Sequence, residues 1–159
     1  MQNWCETNKL FLNDTKTYGI LATTTQRRKH LDITNFEPYL INGNNVEIKE
    51  SEKLLGVIID ENLNWNSHIY GNNDSEGLLI NLSQKICHLN RLSHICDSKT
   101  LLNIANGIFM SSLSFAMPLW GGTSEQNIHK LQMLQNRALR AIFRAGIRTP
   151  MKLLLNKSG

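Results

Sequence analysis

The chain has no apolar run near the length that crosses a bilayer, so no membrane-spanning segment is expected. Its first residues, Met-Gln-Asn-Trp-Cys-Glu, show no basic stretch followed by an apolar core, and no secretory signal is expected. Cysteine is scarce: Cys5, Cys87 and Cys96 cannot all pair within the chain, so free thiols in an intracellular protein, nuclear or cytoplasmic, are the expectation. No Cys-x-x-Cys occurs, and the spacing of Cys87, His88, His94 and Cys96 fits no common structural zinc site. There is no phosphate-cradling glycine motif, no Ser-His-Asp logic, and no close Asp-Asp or Asp-x-Asp pair of the kind that holds two magnesium ions. Asp60 and Glu61 are sequence neighbours, but on a strand they point to opposite faces.

Acid is missing from one end. After Glu125 there is no Asp or Glu, while Lys130, Arg137, Arg140, Arg144, Arg148, Lys152 and Lys157 follow. The chain carries 17 basic and 13 acidic residues, a net charge of +4, so the whole positive excess lies in this last segment. That asymmetry points to a polyanionic partner for the carboxyl end, against the alternative of a solvated helix face.

What is present is enough for a core. At 159 residues with 41% hydrophobic content, the chain fits one compact domain or two small subdomains. Its front third reads as strands. Tyr18–Ala22 is one; Pro38–Ile41 is a second, with Pro38 confined to its start. Asn42-Gly43 is the strongest hairpin signal in the chain, and Val46 and Ile48 alternate on the return strand. Lys53–Asp60 is read as one buried strand, with Gly56 marking a bulge or a close approach of another backbone or ligand.

After the loop Gly71–Gly77 the apolar period becomes helical. Leu79, Leu82, Ile86 and Leu89 form one stripe. A second helix is expected from a Ser98 cap to Pro118. A third begins at Thr123 and Gln126, at capping-box spacing, and ends at Gly146. On it Arg137, Arg140 and Arg144 fall at i, i+3 and i+7, on one outer face. The fold class expected is α+β: a small antiparallel β-sheet over 1–70, a loop over 71–77, a three-helix bundle over 78–148 and an apolar tail over 149–159.

Several segments carry a family resemblance. Residues 8–17 (NKLFLNDTKT) resemble the segment that follows the catalytic aspartates in reverse transcriptases of non-LTR retrotransposons. Ile41-Asn42-Gly43, then 53–60 (KLLGVIID) and 63–69 (LNWNSHI), are similar to that family's next conserved stretch. Leu119-Trp120-Gly121 and 131–140 (LQMLQNRALR) resemble its later pieces. The pieces stand in family order over nearly the whole chain, and the kinship looks jockey-like.

The resemblance implies a fragment of an RNA-directed DNA polymerase, the palm edge and a thumb-like bundle. Lys16 stands where a polymerase lysine approaches the phosphates of the incoming nucleotide, a task suited to a positive point charge. Leu55, Gly56 and Val57 would be the primer grip, where a glycine leaves nothing between backbone and nucleic acid. Arg137, Arg140 and Arg144 would contact phosphates of an RNA–DNA or DNA duplex. The family's Tyr-x-Asp-Asp, its fingers and its endonuclease are absent from this sequence. The chain therefore reads as a truncated product of a mobile element, needing the missing palm and fingers of a parent polymerase. Magnesium is expected only for the complete polymerase, and the chain by itself is expected to extend no primer. The alternative is a non-catalytic, host-adopted interaction module derived from a retroelement, docking through Leu153–Leu155.

Overall fold

A computed structural model of the chain describes residues 2–13, 16–30, 39–41 and 43–158. Helix and strand are mixed, and the chain divides into two compact units, Met1–Leu63 and Asn64–Gly159. Asp14, Thr15, Pro38 and Asn42, which figure in the sequence reading, lie outside the described residues.

The first unit holds α1 (Gln2–Thr7), β1 (Tyr18–Gly19), α2 (Thr25–Arg28), β2 (Leu40–Ile41), β3 (Asn44–Asn45), β4 (Glu47–Ile48), β5 (Ser51–Leu54) and β6 (Val57–Asp60). The expected single antiparallel sheet is instead three two-stranded pairs among the described residues: β1–β4, which is parallel, and the antiparallel pairs β2–β3 and β5–β6. Where the hairpin was expected, Ile41 pairs with Asn44, and Gly43 takes φ 82°.

The reading of 53–60 as one strand is corrected. Leu54 pairs with Val57, and between them Leu55 and Gly56 take φ values of 48° and 91°. Two successive positive φ values make a type I′ turn, whose twist matches that of the flanking strands. The glycine is thus a turn residue and not a bulge. The signal was hidden because leucine, which resists the left-handed region, occupies the place usually held by Asn or Asp. Val57 and Ile58 on the return strand are buried.

The second unit holds α3 (Asn66–Tyr70), α4 (Leu78–Leu92), α5 (Ser98–Ala105), a π-helical turn (Asn106–Met110), α6 (Ser111–Ser114), α7 (Met117–Trp120), α8 (Glu125–Ile142) and α9 (Met151–Ser158). Its core joins Leu82, Ile86 and Leu89 of α4, Leu101 of α5, Phe109 of the π turn, and Leu131, Leu134 and Ala138 of α8. Ile69 of α3 belongs to the same core. Residues 66–70, assigned by sequence to the sheet subdomain over 1–70, therefore pack with the helices. The loop before α4 is pinched shut: Gly71 bridges to Glu76, and the Asn72 carboxamide oxygen accepts from the backbone N–H groups of Asp74 and Ser75.

The second expected helix is broken twice. Asp97, not Ser98, is its cap: the carboxylate accepts from the Lys99 N–H, while the Ser98 hydroxyl donates to the Ile142 carbonyl. The π turn then admits a wider ring, with the Ser111 N–H donating to the Asn106 carbonyl. Hydroxyls of Ser111, Ser112 and Ser114 donate back to the carbonyls of Gly107, Ile108 and Met110. Side-chain donors thus serve carbonyls in a stretch where the regular ladder is disturbed. Lys85 of α4 donates to the Ser112 hydroxyl, and burial lowers its pKa from the ordinary lysine value.

The helix ends at Ser114, with Ala116 at φ 52°. Pro118 does not end it but sits in the first turn of α7, where a missing N–H costs nothing. The cap of α8 is Ser124, one residue later than expected, with its hydroxyl accepting from the Asn127 N–H.

Candidate nucleic-acid interface

Helix α8 ends at Ile142 and closes in a Schellman motif. The Ala145 N–H donates to the Arg140 carbonyl and the Arg144 N–H to the Ala141 carbonyl. The left-handed position between them, usually glycine, is Arg144 at φ 49°. Gly146, expected to be the cap, lies two residues further on. An arginine in that strained place has a visible compensation. Its Nε and Nη2 donate to the carbonyls of Ser93 and Cys96, each at 2.7 Å, at the carboxyl end of α4. Helix carboxyl ends leave carbonyls without partners and carry partial negative charge, so a guanidinium there is doubly suited.

Arg144 is therefore a clamp between two helices as well as a positive charge. Arg140 is half-buried; its Nη1 donates to the Asn136 carbonyl at 3.4 Å, and its Nε is buried with no acceptor among the described residues. Arg137 is exposed. The three do not share a uniform outer helix face, as the i, i+3, i+7 spacing implied, because Arg144 lies past the helix end. They nevertheless line one open groove of about 550 Å³. Across it α4 contributes Asn90, with Ser93 and His94 just beyond its end. No carboxylate lines it among the described residues. The α4 side of this groove was missed in the sequence, since Asn90, Ser93 and His94 follow no charge pattern.

The other candidate residues lie in the first unit. Leu55 and Gly56 form the tip of the β5–β6 hairpin, and Leu55 is 88% exposed. Val57 is buried, so its side chain is unavailable to a ligand. Lys16 is exposed, its N–H donating to the Asn13 carbonyl. Because leucine in the left-handed region costs about 1–2 kcal/mol, Leu55→Asn is expected to stabilise the chain by about 1 kcal/mol. A urea titration checks this; a lowered midpoint would contradict the turn assignment.

Residues 64–69 and 119–121, far apart in sequence, meet in the second unit. The His68 ring lies 5.9 Å from that of Trp120, and both residues are buried. The Trp120 indole N–H donates to the Phe115 carbonyl at 2.7 Å. Beside them Asn127 is buried. Its carboxamide oxygen accepts from the Tyr70 hydroxyl, and its nitrogen donates to Asn66 and Thr123. The three cysteines are free, and no group of three His, Cys, Asp or Glu side chains is placed to hold a metal among the described residues. No helix of the described residues is long and apolar enough to cross a membrane. Comparison with family models, curated proteins and solved structures finds no match.

Proposed function

We propose that the helical unit binds the phosphate backbone of a nucleic-acid duplex. We further propose that the chain is the palm-edge and thumb portion of a reverse transcriptase of the non-LTR retrotransposon type, without polymerase activity of its own. The observation that carries the reading is the groove between α4 and the end of α8. Arg137, Arg140 and Arg144 line it, and no carboxylate does among the described residues. Positive side chains with no facing carboxylate suit phosphate oxygens, which accept charge-assisted hydrogen bonds from them. In this reading α4, α5 and α8 are the thumb-like bundle, the Leu55–Gly56 turn is the primer grip, and Lys16 faces nucleotide phosphate. The family-like segments 63–69 and 119–121 serve the core through His68, Ile69 and Trp120.

Fluorescence anisotropy with a labelled RNA–DNA hybrid tests the proposal. Arg137→Ala with Arg140→Ala is expected to weaken binding about tenfold or more, since a hydrogen bond to a charged group contributes about 1.5–3 kcal/mol. Arg144 is left intact, because removing it would also unclamp α4. Equal affinity of variant and unmutated protein would contradict the groove as the site.

The interaction-module reading draws on α9. Leu154 is buried, while Leu153 and Leu155 are 56% and 55% exposed. Self-association lost on Leu153→Ser with Leu155→Ser, together with no affinity for the hybrid, would favour that reading.

A further inference from the structure

A second concavity lies on the other flank of α8. Gln132, Gln135, Ala138 and Ile142 face it, whereas Arg137, Arg140 and Arg144 face the groove. Its floor is made of the buried residues Ala105, Phe109, Ala138 and Ile142. Its rim carries the carboxamides of Asn106, Gln132 and Gln135, and Leu155 of α9 also lines it. The volume is about 240 Å³.

We infer that this pocket is a binding site for an uncharged, flat, mostly apolar molecule of bicyclic size with one hydrogen-bonding edge. Three observations select that chemistry. An apolar cavity of about 150 Å³ holds a single benzene ring, so this one has room for a fused pair. No charged residue lines it, so an ionic ligand would lose its hydration with nothing in return. The rim amides both donate and accept, and the Gln135 Nε2 meets only the weak acceptor Met110 Sδ, at 3.9 Å.

The wall itself favours a retained site. The π turn supplies Asn106, Phe109 and Met110 to the pocket, and π turns recur at functional sites in helices. At Gly107, inside that turn, an added Cβ would meet nothing within 4 Å. Packing therefore does not explain a residue that weakens a helix. The inference stands apart from the phosphate-binding proposal, because the two sites use opposite flanks of α8.

Indole is the probe, titrated into the full chain and followed by methyl NMR of the leucine and isoleucine side chains. Saturable shifts at Leu102 and Ile142 are expected. Tryptamine and indole-3-acetate, which carry charge, are expected to bind at least tenfold more weakly. 7-Azaindole, which adds a ring-nitrogen acceptor for the Gln135 Nε2–H, is expected to bind about fivefold more tightly than indole, the worth of one neutral hydrogen bond. Gln135→Leu should abolish that fivefold difference. Ala105→Leu should remove binding by filling the floor. If that variant fails to fold, the comparison of the four probes on the unmutated protein still decides. No saturable shift with indole, or equal binding of the charged analogues, would overturn the inference. Affinity for the hybrid should be the same with and without indole.

Discussion

Trp120→Ala is expected to destabilise the helical unit by about 3–5 kcal/mol, the usual cost of emptying a large aromatic site in a core. The side chain is fully buried, at 0% exposure, among the residues that join α3, α4 and α8. Its loss opens a cavity beside His68 and leaves the Phe115 carbonyl without its indole donor. That carbonyl sits at the break between α6 and α7, where Ala116 already holds a positive φ. The change thus removes both packing and the bond that fixes the break. Trp120→Phe separates the two, keeping most of the ring and losing the N–H, and is expected to cost about 1–3 kcal/mol. Urea denaturation measures both, as a fall in midpoint at unchanged slope. A cost below about 1 kcal/mol for the alanine variant would place Trp120 outside the core.

Gly77→Ala is expected to cost about 3 kcal/mol or more, at or beyond the upper end of ordinary overpacking. A Cβ there would overlap the Gly71 N and the Tyr70 carbonyl carbon and lie 2.6 Å from the Ile69 oxygen. All three are backbone atoms, so no rotamer change relieves the overlap. Gly71 faces the same squeeze: at φ 97°, an added Cβ would lie 2.7 Å from the Gly77 N and from the Ser75 oxygen. Two glycines thus close the loop that launches α4. Gly122→Ala is the control: nothing lies within 4 Å of its added Cβ, and a change within about 0.5 kcal/mol is expected. Thermal unfolding of the pair decides; equal melting temperatures would contradict the pinched loop.

The helical stripes were legible because period and burial coincide. Leu82, Ile86 and Leu89 of the α4 stripe are buried, and Leu131, Leu134 and Ala138 recur at helical spacing and are buried on α8. The β2–β3 pairing beside Gly43 was legible because turn chemistry is local. What stayed hidden depended on residues standing in places their type disfavours. Leucine at a left-handed turn position disguised the β5–β6 hairpin as one strand. Arginine at a left-handed helix ending displaced the stop expected at Gly146. The π turn has no periodic signature, so the stretch from Ser98 to Pro118 read as one regular helix. Of the candidate site, the arginine spacing was visible. The groove was not, since it needs the end of α4 brought across from some 50 residues away, as the Arg144 bonds to Ser93 and Cys96 show.

The salt dependence of hybrid binding tests the central claim most directly. Each phosphate neutralised adds about 0.7–0.9 to the slope of log K against log salt concentration. If Arg137 and Arg140 each hold a phosphate, replacing both by alanine lowers the slope by about 1.4–1.8. Affinity indifferent to salt, or a slope identical in the unmutated chain and the double variant, would contradict the account.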